Sequence, residues 1–186
     1  RDLGSVWRIS EISVKPYPSG RASHAALGAL EVLRPDAGQV ARIELAAPPL
    51  IHRLVGRPYK ADMTPAYARL CLPFLAALMM SDGRIDPRRF TPEGFSDPAL
   101  AALAGKVHLL ADGNTDPNAL FPQRLAITIT DGSHREQPIA ATLGSPANPL
   151  TAAGAEAKLA LARELAPADA PSQLFTDPLA YFTGTP

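Results

Sequence analysis

The run Lys15-Pro16-Tyr17-Pro18-Ser19-Gly20-Arg21-Ala22-Ser23-His24 gathers a lysine, an arginine and a histidine into one short segment. Lysine holds a carboxylate or phosphate as a point charge, and arginine grips one with two parallel hydrogen bonds. A histidine, whose ordinary pKa lies near neutrality, can also exchange protons. Two prolines stiffen the segment, and Gly20 lets the backbone turn freely. A helix start follows, and its unpaired N–H groups and partial positive charge favour an anion further. The chemistry this suggests is capture of a small anion beside a proton-exchanging group. Pro, Gly, Ser and Lys also collect at strand–loop–helix junctions for turn and capping reasons alone. His24, three residues before Leu27, fits equally a histidine whose bonds are met at the rim of a core. Spacing alone leaves both readings open.

The elements that position this segment can be read from periodicity. Trp7 and Ile9 alternate with polar residues, and Ile12 and Val14 do so in the opposite phase. That slip predicts a strand with a bulge near Ser10 and Glu11, with Lys15 kept extended by Pro16. Ser23 is a candidate N-cap for a helix over residues 25–34, with Leu27, Leu30 and Leu33 on one face and Pro35 and Gly38 as its stop. Ala41, Ile43 and Leu45 alternate with Arg42 and Glu44 in a second strand. A short helical stretch is expected around Leu50 to Val55.

The segment from Pro65 to Asp82 reads as a buried helix, kinked or begun afresh at Pro73. A short helix follows over residues 97–104, with Ser96 and Asp97 as caps. A strand is expected over Val107 to Leu110 and another through Leu125, Ile127 and Ile129. Asp131-Gly132 marks a hairpin turn before a returning strand near Ile139 to Leu143, where Pro138 demands an edge. An Ala-rich helix over residues 151–166 and a proline-punctuated tail close the chain. Strands cluster toward both ends, so the class is α+β, a mixed or antiparallel sheet with helices packed against it. Residues 1–150 form the α+β domain, and 151–186 form the terminal helix and tail.

Bulk properties bound the partners. Of 186 residues, 46% are apolar and 19% charged, ordinary values for a folded domain. Lys plus Arg number 18 and Asp plus Glu 18, so no global field draws the chain to nucleic acid or an anionic membrane. Any bound anion must be held by a local cluster. The single cysteine, Cys71, rules out an intrachain disulfide and a cysteine-based zinc site, and a reducing, cytoplasmic compartment fits. The longest uncharged apolar run, Leu70 to Met80, falls short of the roughly 20 residues that span a bilayer. The chain opens on Arg1 with no signal-peptide pattern, and reads as part of something longer.

KPYPSGRASHAAL resembles the KPYP-type signature in the second domain of MmgE/PrpD proteins, a family that includes 2-methylcitrate dehydratases, cis-aconitate decarboxylase and iminodisuccinate epimerase. Further landmarks stand in the family's order. Leu72-Pro73-Phe74-Leu75-Ala76 with Asp82-Gly83 resembles its SLPY helix. Val107 through Asp131-Gly132 resembles its strand pair ending in a DG turn. Gly144-Ser145-Pro146-Ala147-Asn148-Pro149-Leu150 with Lys158 resembles its approach to a late helix.

The resemblance implies a bacterial, cytoplasmic, homodimeric lyase or isomerase that needs no metal or cofactor and acts on a small di- or tricarboxylate, a 2-methylcitrate dehydratase first among the options. Its cleft would lie between this domain and an N-terminal helical domain absent here, so this chain alone would be inactive. The terminal helix and tail would pack back on that helical domain. By the same resemblance Lys15 and His24 are the catalytic candidates, and Ser19 and Arg21 the substrate contacts. Phe74 joins them where the family usually carries an active-site tyrosine, and because it cannot donate a proton the reaction itself stays open. Gly144-Ser145-Pro146 replaces the family's GDP, read here as a loop variation without chemical meaning. The alternative function is a non-catalytic anion-binding or subunit-association module.

Other residues carry less. His52, His108 and His134 lack a carboxylate or cysteine at metal-ligand spacing and suit surface or capping roles. Arg88-Arg89 beside Asp86 reads as a solvated charge cluster. Cys71, Met79 and Met80 read as core filler. The sequence has no GxSxG, no HExxH and no glycine-rich phosphate loop.

Overall fold

A computed structural model describes residues 4–184; Arg1 lies outside them. The chain divides into two compact units, Arg1–Pro149 and Leu150–Pro186. The first is α+β. Its sheet has four strands in the order β2-β1-β3-β4, with β1 at Val40–Ala47, β2 at Val107–Ala111, β3 at Gln123–Ile129 and β4 at His134–Ile139. β1 runs parallel to β2 and antiparallel to β3, and β4 returns antiparallel to β3. A mixed sheet results.

Alternation decides which side chains face the core. Ile43 and Leu45 of β1 and Leu125, Ile127 and Ile129 of β3 are buried. A register shift between Val40 and Arg42 buries Val40 and leaves Ala41, expected on the same face as Ile43 and Leu45, exposed. The opposite face carries the Arg42–Glu44 and Arg124–Glu136 ion pairs. Two helices pack against the sheet and each other: α1 (His24–Leu33) meets β3 and β4, and α4 (Leu72–Asp82) meets β2. α4 is apolar all round and buries Leu72, Phe74, Leu75, Ala76, Ala77, Leu78 and Met79, as expected of a helix at the centre of a core. At about 1.5–3 kcal/mol for each large apolar side chain buried, this one helix is a major source of stability.

The helix boundaries follow from capping chemistry. α2 (Pro49–Val55) and α3 (Pro65–Ala68) begin with proline in the first turn, where the missing N–H costs nothing. Pro73 does begin a helix afresh: the chain breaks after Ala68 and α4 restarts at Leu72. α5 (Pro92–Phe95) is capped by the Thr91 hydroxyl. α6 (Pro98–Ala104) is capped by Asp97, whose carboxylate accepts from the Ala99 N–H at 2.9 Å. Ser96 instead donates its hydroxyl to the Pro92 carbonyl at 2.7 Å. His52 on α2 places Nε2 at 3.1 Å from the carbonyls of both Ala47 and Leu110, tying α2 to the ends of β1 and β2.

Three expectations change. Residues 7–14 form no strand; a short 3-10 turn spans Arg8–Glu11, and Trp7, Ile9, Ile12 and Val14 are all exposed. The alternation was real, but no neighbouring strand covers it among the described residues. The returning strand is β4 at His134–Ile139, ahead of the expected 139–143. It sits at the sheet edge, where Pro138 is tolerated because its missing donor faces no ladder partner. Asp86, finally, is not loosely solvated. It is nearly buried, accepts from Arg88 Nη2 at 2.6 Å and Arg84 Nη2 at 3.0 Å, and caps the turn at Pro87–Arg89. The Arg88 hydrogen bond is the main reason its carboxyl falls to about 2. Arg89 meanwhile bridges Asp82 and Asp97, so the charge cluster pins the loop that follows α4.

The second unit contains α7 (Ala152–Leu165), α8 (Gln173–Thr176) and α9 (Pro178–Thr183). The Thr151 hydroxyl caps α7 by accepting from the Gly154 N–H at 3.1 Å. No residue of these three helices is buried. No described helix is long and apolar enough to cross a membrane.

Candidate functional site

The loop from Lys15 to His24 is held from three sides. Below it, the Gly20 N–H donates to the Arg69 carbonyl at 2.9 Å. Gly20 has ordinary dihedrals, φ −62° and ψ 133°, so backbone freedom is not its use. A Cβ there would stand 2.5 Å from Leu70 Cδ2, the mobile end of a side chain that can move aside, and 3.5 Å from its next neighbours. Within the loop, the Ser19 N–H donates to the Tyr17 carbonyl at 2.9 Å, closing a three-residue turn centred on Pro18. From the far end of the unit, the Val14 N–H donates to the Gly144 carbonyl at 2.8 Å.

Gly144 has φ +85°, and a Cβ on it would stand 1.9 Å from the Val14 carbonyl oxygen and 3.1 Å from Pro16 Cδ. One residue earlier, Leu143 packs against Gly28 of α1, where an added Cβ would meet its side chain at 3.2 Å. The late Gly144-Ser145-Pro146 motif is therefore a buttress for the segment leading into Lys15. Sequence reasoning gave this turn no role, and its only local signal was the glycine.

The helix start differs from expectation. Ser23 occupies the N-cap position of α1 but has helical dihedrals and caps nothing. A 3-10 turn over Arg21–Ser23 leads straight into α1, and the N–H groups of Ser23 and His24 bond back to the Gly20 and Arg21 carbonyls. Those two donors are spent inside the chain. The hydroxyls form a relay: Ser23 Oγ donates to the Gly20 carbonyl at 2.8 Å, and Ser19 Oγ lies 2.8 Å from Ser23 Oγ. With the Ser23 proton committed, Ser19 donates to it.

Lys15 and Arg21 are exposed, while Ser19 and His24 are buried. Lys15 Nζ folds back to the Ser19 carbonyl at 3.4 Å. His24 is 1% exposed. Burial is the main cause that lowers its pKa to about 4, and the positive charges of Lys15 and Arg21 lower it further, against backbone groups of Ser19 and Tyr17 that raise it. His24 Nε2 has no hydrogen-bond partner among the described residues. The imidazole thus sits neutral under two cations with one nitrogen unmet, and its bonds are not the satisfied ones of a core-rim histidine. A buried polar atom without a partner costs about 1–3 kcal/mol.

The structure brings together Lys15, Ser19, Arg21 and His24, and keeps Phe74 out. Phe74 is fully buried, packed edge-on against Phe90 and Phe95 at 5.7 and 5.4 Å between ring centroids and tilted against Tyr59. The Tyr59 hydroxyl is bonded to the Phe95 carbonyl. The phenyl ring has no exposed surface and packs the core.

Ser145 was read only as part of a loop variation. It is 8% exposed and its Oγ is a second buried atom without a partner among the described residues. A hydroxyl bonded to nothing does not support the fold, so Ser145→Ala is expected to leave the melting temperature unchanged or raise it. A drop equivalent to about 1 kcal/mol in a thermal melt would show that the hydroxyl is bonded after all. No three His, Cys, Asp or Glu side chains come together in a metal-binding group among the described residues.

A cationic loop over a buried imidazole is carried on a mixed sheet with two packed helices, an α+β domain. Residues 17–173 match the MmgE/PrpD C-terminal domain, and the chain belongs to that family. The match begins just after Lys15 and includes Ser19, Arg21 and His24. No curated protein matches the chain.

Proposed function

We propose that this chain forms one wall of the active-site cleft of a lyase or isomerase acting on a small di- or tricarboxylate, of the 2-methylcitrate dehydratase kind. The observation that carries this reading is the pairing of exposed Lys15 and Arg21 with the buried, neutral His24, whose Nε2 has no partner among the described residues. Lys15 and Arg21 hold a substrate carboxylate. Negative charge that develops on the neighbouring carbon during proton removal is then stabilised by the same two cations. In a dehydration the C–H electron pair becomes the new C=C bond, the C–O pair leaves with oxygen, and that oxygen takes a proton to depart as water. His24 serves as one of the two proton-handling groups. The other belongs to the helical domain that the family resemblance implies. The exposed α7 is suited to packing on that same domain, because isolated helices of this length are marginal in water.

The burial of His24 favours a second reading, an anion-binding module without turnover. One experiment separates the two. The chain is combined with the helical domain of a family member, and 2-methylcitrate dehydration is assayed. Lys15→Ala is expected to lower turnover at least about a hundredfold. Unchanged turnover in that variant removes Lys15 from the chemistry. Citrate binding without any turnover in the parent supports the module.

A further inference from the structure

His24 Nε2 is buried, and the Tyr17 ring packs on the imidazole. The two rings meet edge to face at 5.6 Å and 85°. The Tyr17 hydroxyl donates to Glu31 Oε2 at 2.6 Å. Glu31 lies on α1 seven residues after His24, two turns along the same face. It is exposed, and so its hydrogen bond competes with water. Tyr17 is therefore tied to the helix that carries His24 by one strong but solvent-reachable bond, beside a turn centred on Pro18. The charged and titratable groups around the imidazole are Lys15 and Arg21 from the loop and Tyr17 at its edge, with Glu31 reached through Tyr17.

We propose that Tyr17 gates His24 and that Glu31 is its latch: with the hydroxyl bound to Glu31 the ring seals the imidazole, and with that bond broken the ring swings away and opens Nε2 to the carboxylate held by Lys15 and Arg21. Neither residue needs to touch substrate; both act through His24 as positioning residues. This rests on the carboxylate-site reading for its purpose, though not for its test. The geometry explains why a proton-exchanging group is buried in a loop whose cations are exposed. A sealed imidazole keeps neither water nor a bound proton until the latch opens.

The test is an NMR titration of His24 in the whole chain, alongside thermal melts. Tyr17→Phe keeps the ring and removes the hydroxyl; Glu31→Ala removes the acceptor. Each is expected to admit water to the imidazole and to raise its proton affinity at least tenfold, with little change in melting temperature. Glu31→Gln retains an acceptor oxygen and is expected to titrate like the parent, a rescue that general loosening of the fold would not produce. A His24 midpoint that stays put in both Tyr17→Phe and Glu31→Ala overturns the gate, whatever the Lys15→Ala assay gives. A midpoint that moves in those two and is restored in Glu31→Gln upholds it, even in a protein with no turnover.

Discussion

Acidification from pH 7 to pH 4.5 is expected to cost the first unit about 2–3 kcal/mol of stability through His24 alone. The folded chain holds this imidazole at about 4, against 6.5 for a free histidine, because burial and then the charges of Lys15 and Arg21 oppose protonation more than the backbone groups of Ser19 and Tyr17 favour it. Above pH 6.5 the residue is neutral in both states and contributes nothing that varies. Between 6.5 and about 4 the unfolded chain takes a proton that the folded chain refuses, so unfolding gains steadily as pH falls. Below about 4 both states are protonated and the loss is complete. At roughly 1.4 kcal/mol per pH unit the gap bounds the effect near 3 kcal/mol.

Asp86 acts in a separate window. Its carboxyl is depressed to about 2, so its contribution is fully present above the ordinary carboxylate range and fades only as pH falls toward 2. Urea midpoints at pH 7, 6 and 5 therefore isolate the histidine. The parent should lose stability across that series and His24→Gln should lose markedly less. Equal slopes in the two proteins would refute the buried neutral imidazole. Should His24→Gln fail to fold, the NMR midpoint of His24 in the parent decides the matter, near 4 or near 6.5.

What could be read from the residues was what periodicity and capping dictate locally. α4 announced itself because it is apolar on every side, β1 and β3 because they alternate, and α6 because Asp97 precedes Pro98. Non-local contacts were not legible. The alternation at Trp7, Ile9, Ile12 and Val14 says which side chains want cover and nothing of whether a neighbour supplies it. β4 hid because an edge strand needs little burial: His134, Arg135, Glu136 and Pro138 are all exposed, and the apolar residues just beyond drew attention instead. Phe74 was placed by its position in a motif, but its direction is set by Phe90 and Phe95. The composition of the Lys15–His24 loop was readable, and so was its cationic character. That Ser23 would spend its hydroxyl on the Gly20 carbonyl and leave α1 without a side-chain cap depended on a 3-10 turn that no residue type requires.

Gly144→Ala is expected to destabilise the first unit by about 3 kcal/mol and to loosen the Lys15 loop specifically. Two costs combine. At φ +85° any residue with a Cβ is strained by about 1–2 kcal/mol. The added methyl would also stand 1.9 Å from the Val14 carbonyl oxygen, and backbone on both sides leaves no flexible side chain to give way. Gly132 supplies the control, because its φ is also +85° and a Cβ there meets nothing within 4 Å. Gly132→Ala should show the conformational cost alone, about 1–2 kcal/mol. The difference between the two variants measures the contact. Relief of the clash must push Val14 away and break its N–H bond to the Gly144 carbonyl, so the Val14 amide should exchange faster in Gly144→Ala than in Gly132→Ala at matched stability. Lys15 follows Val14 directly, and citrate binding to the chain should weaken in the same variant. Equal destabilisation in the two alanine variants, with Val14 equally protected, would mean that Gly144 serves only its own turn and that the late motif does not hold the loop.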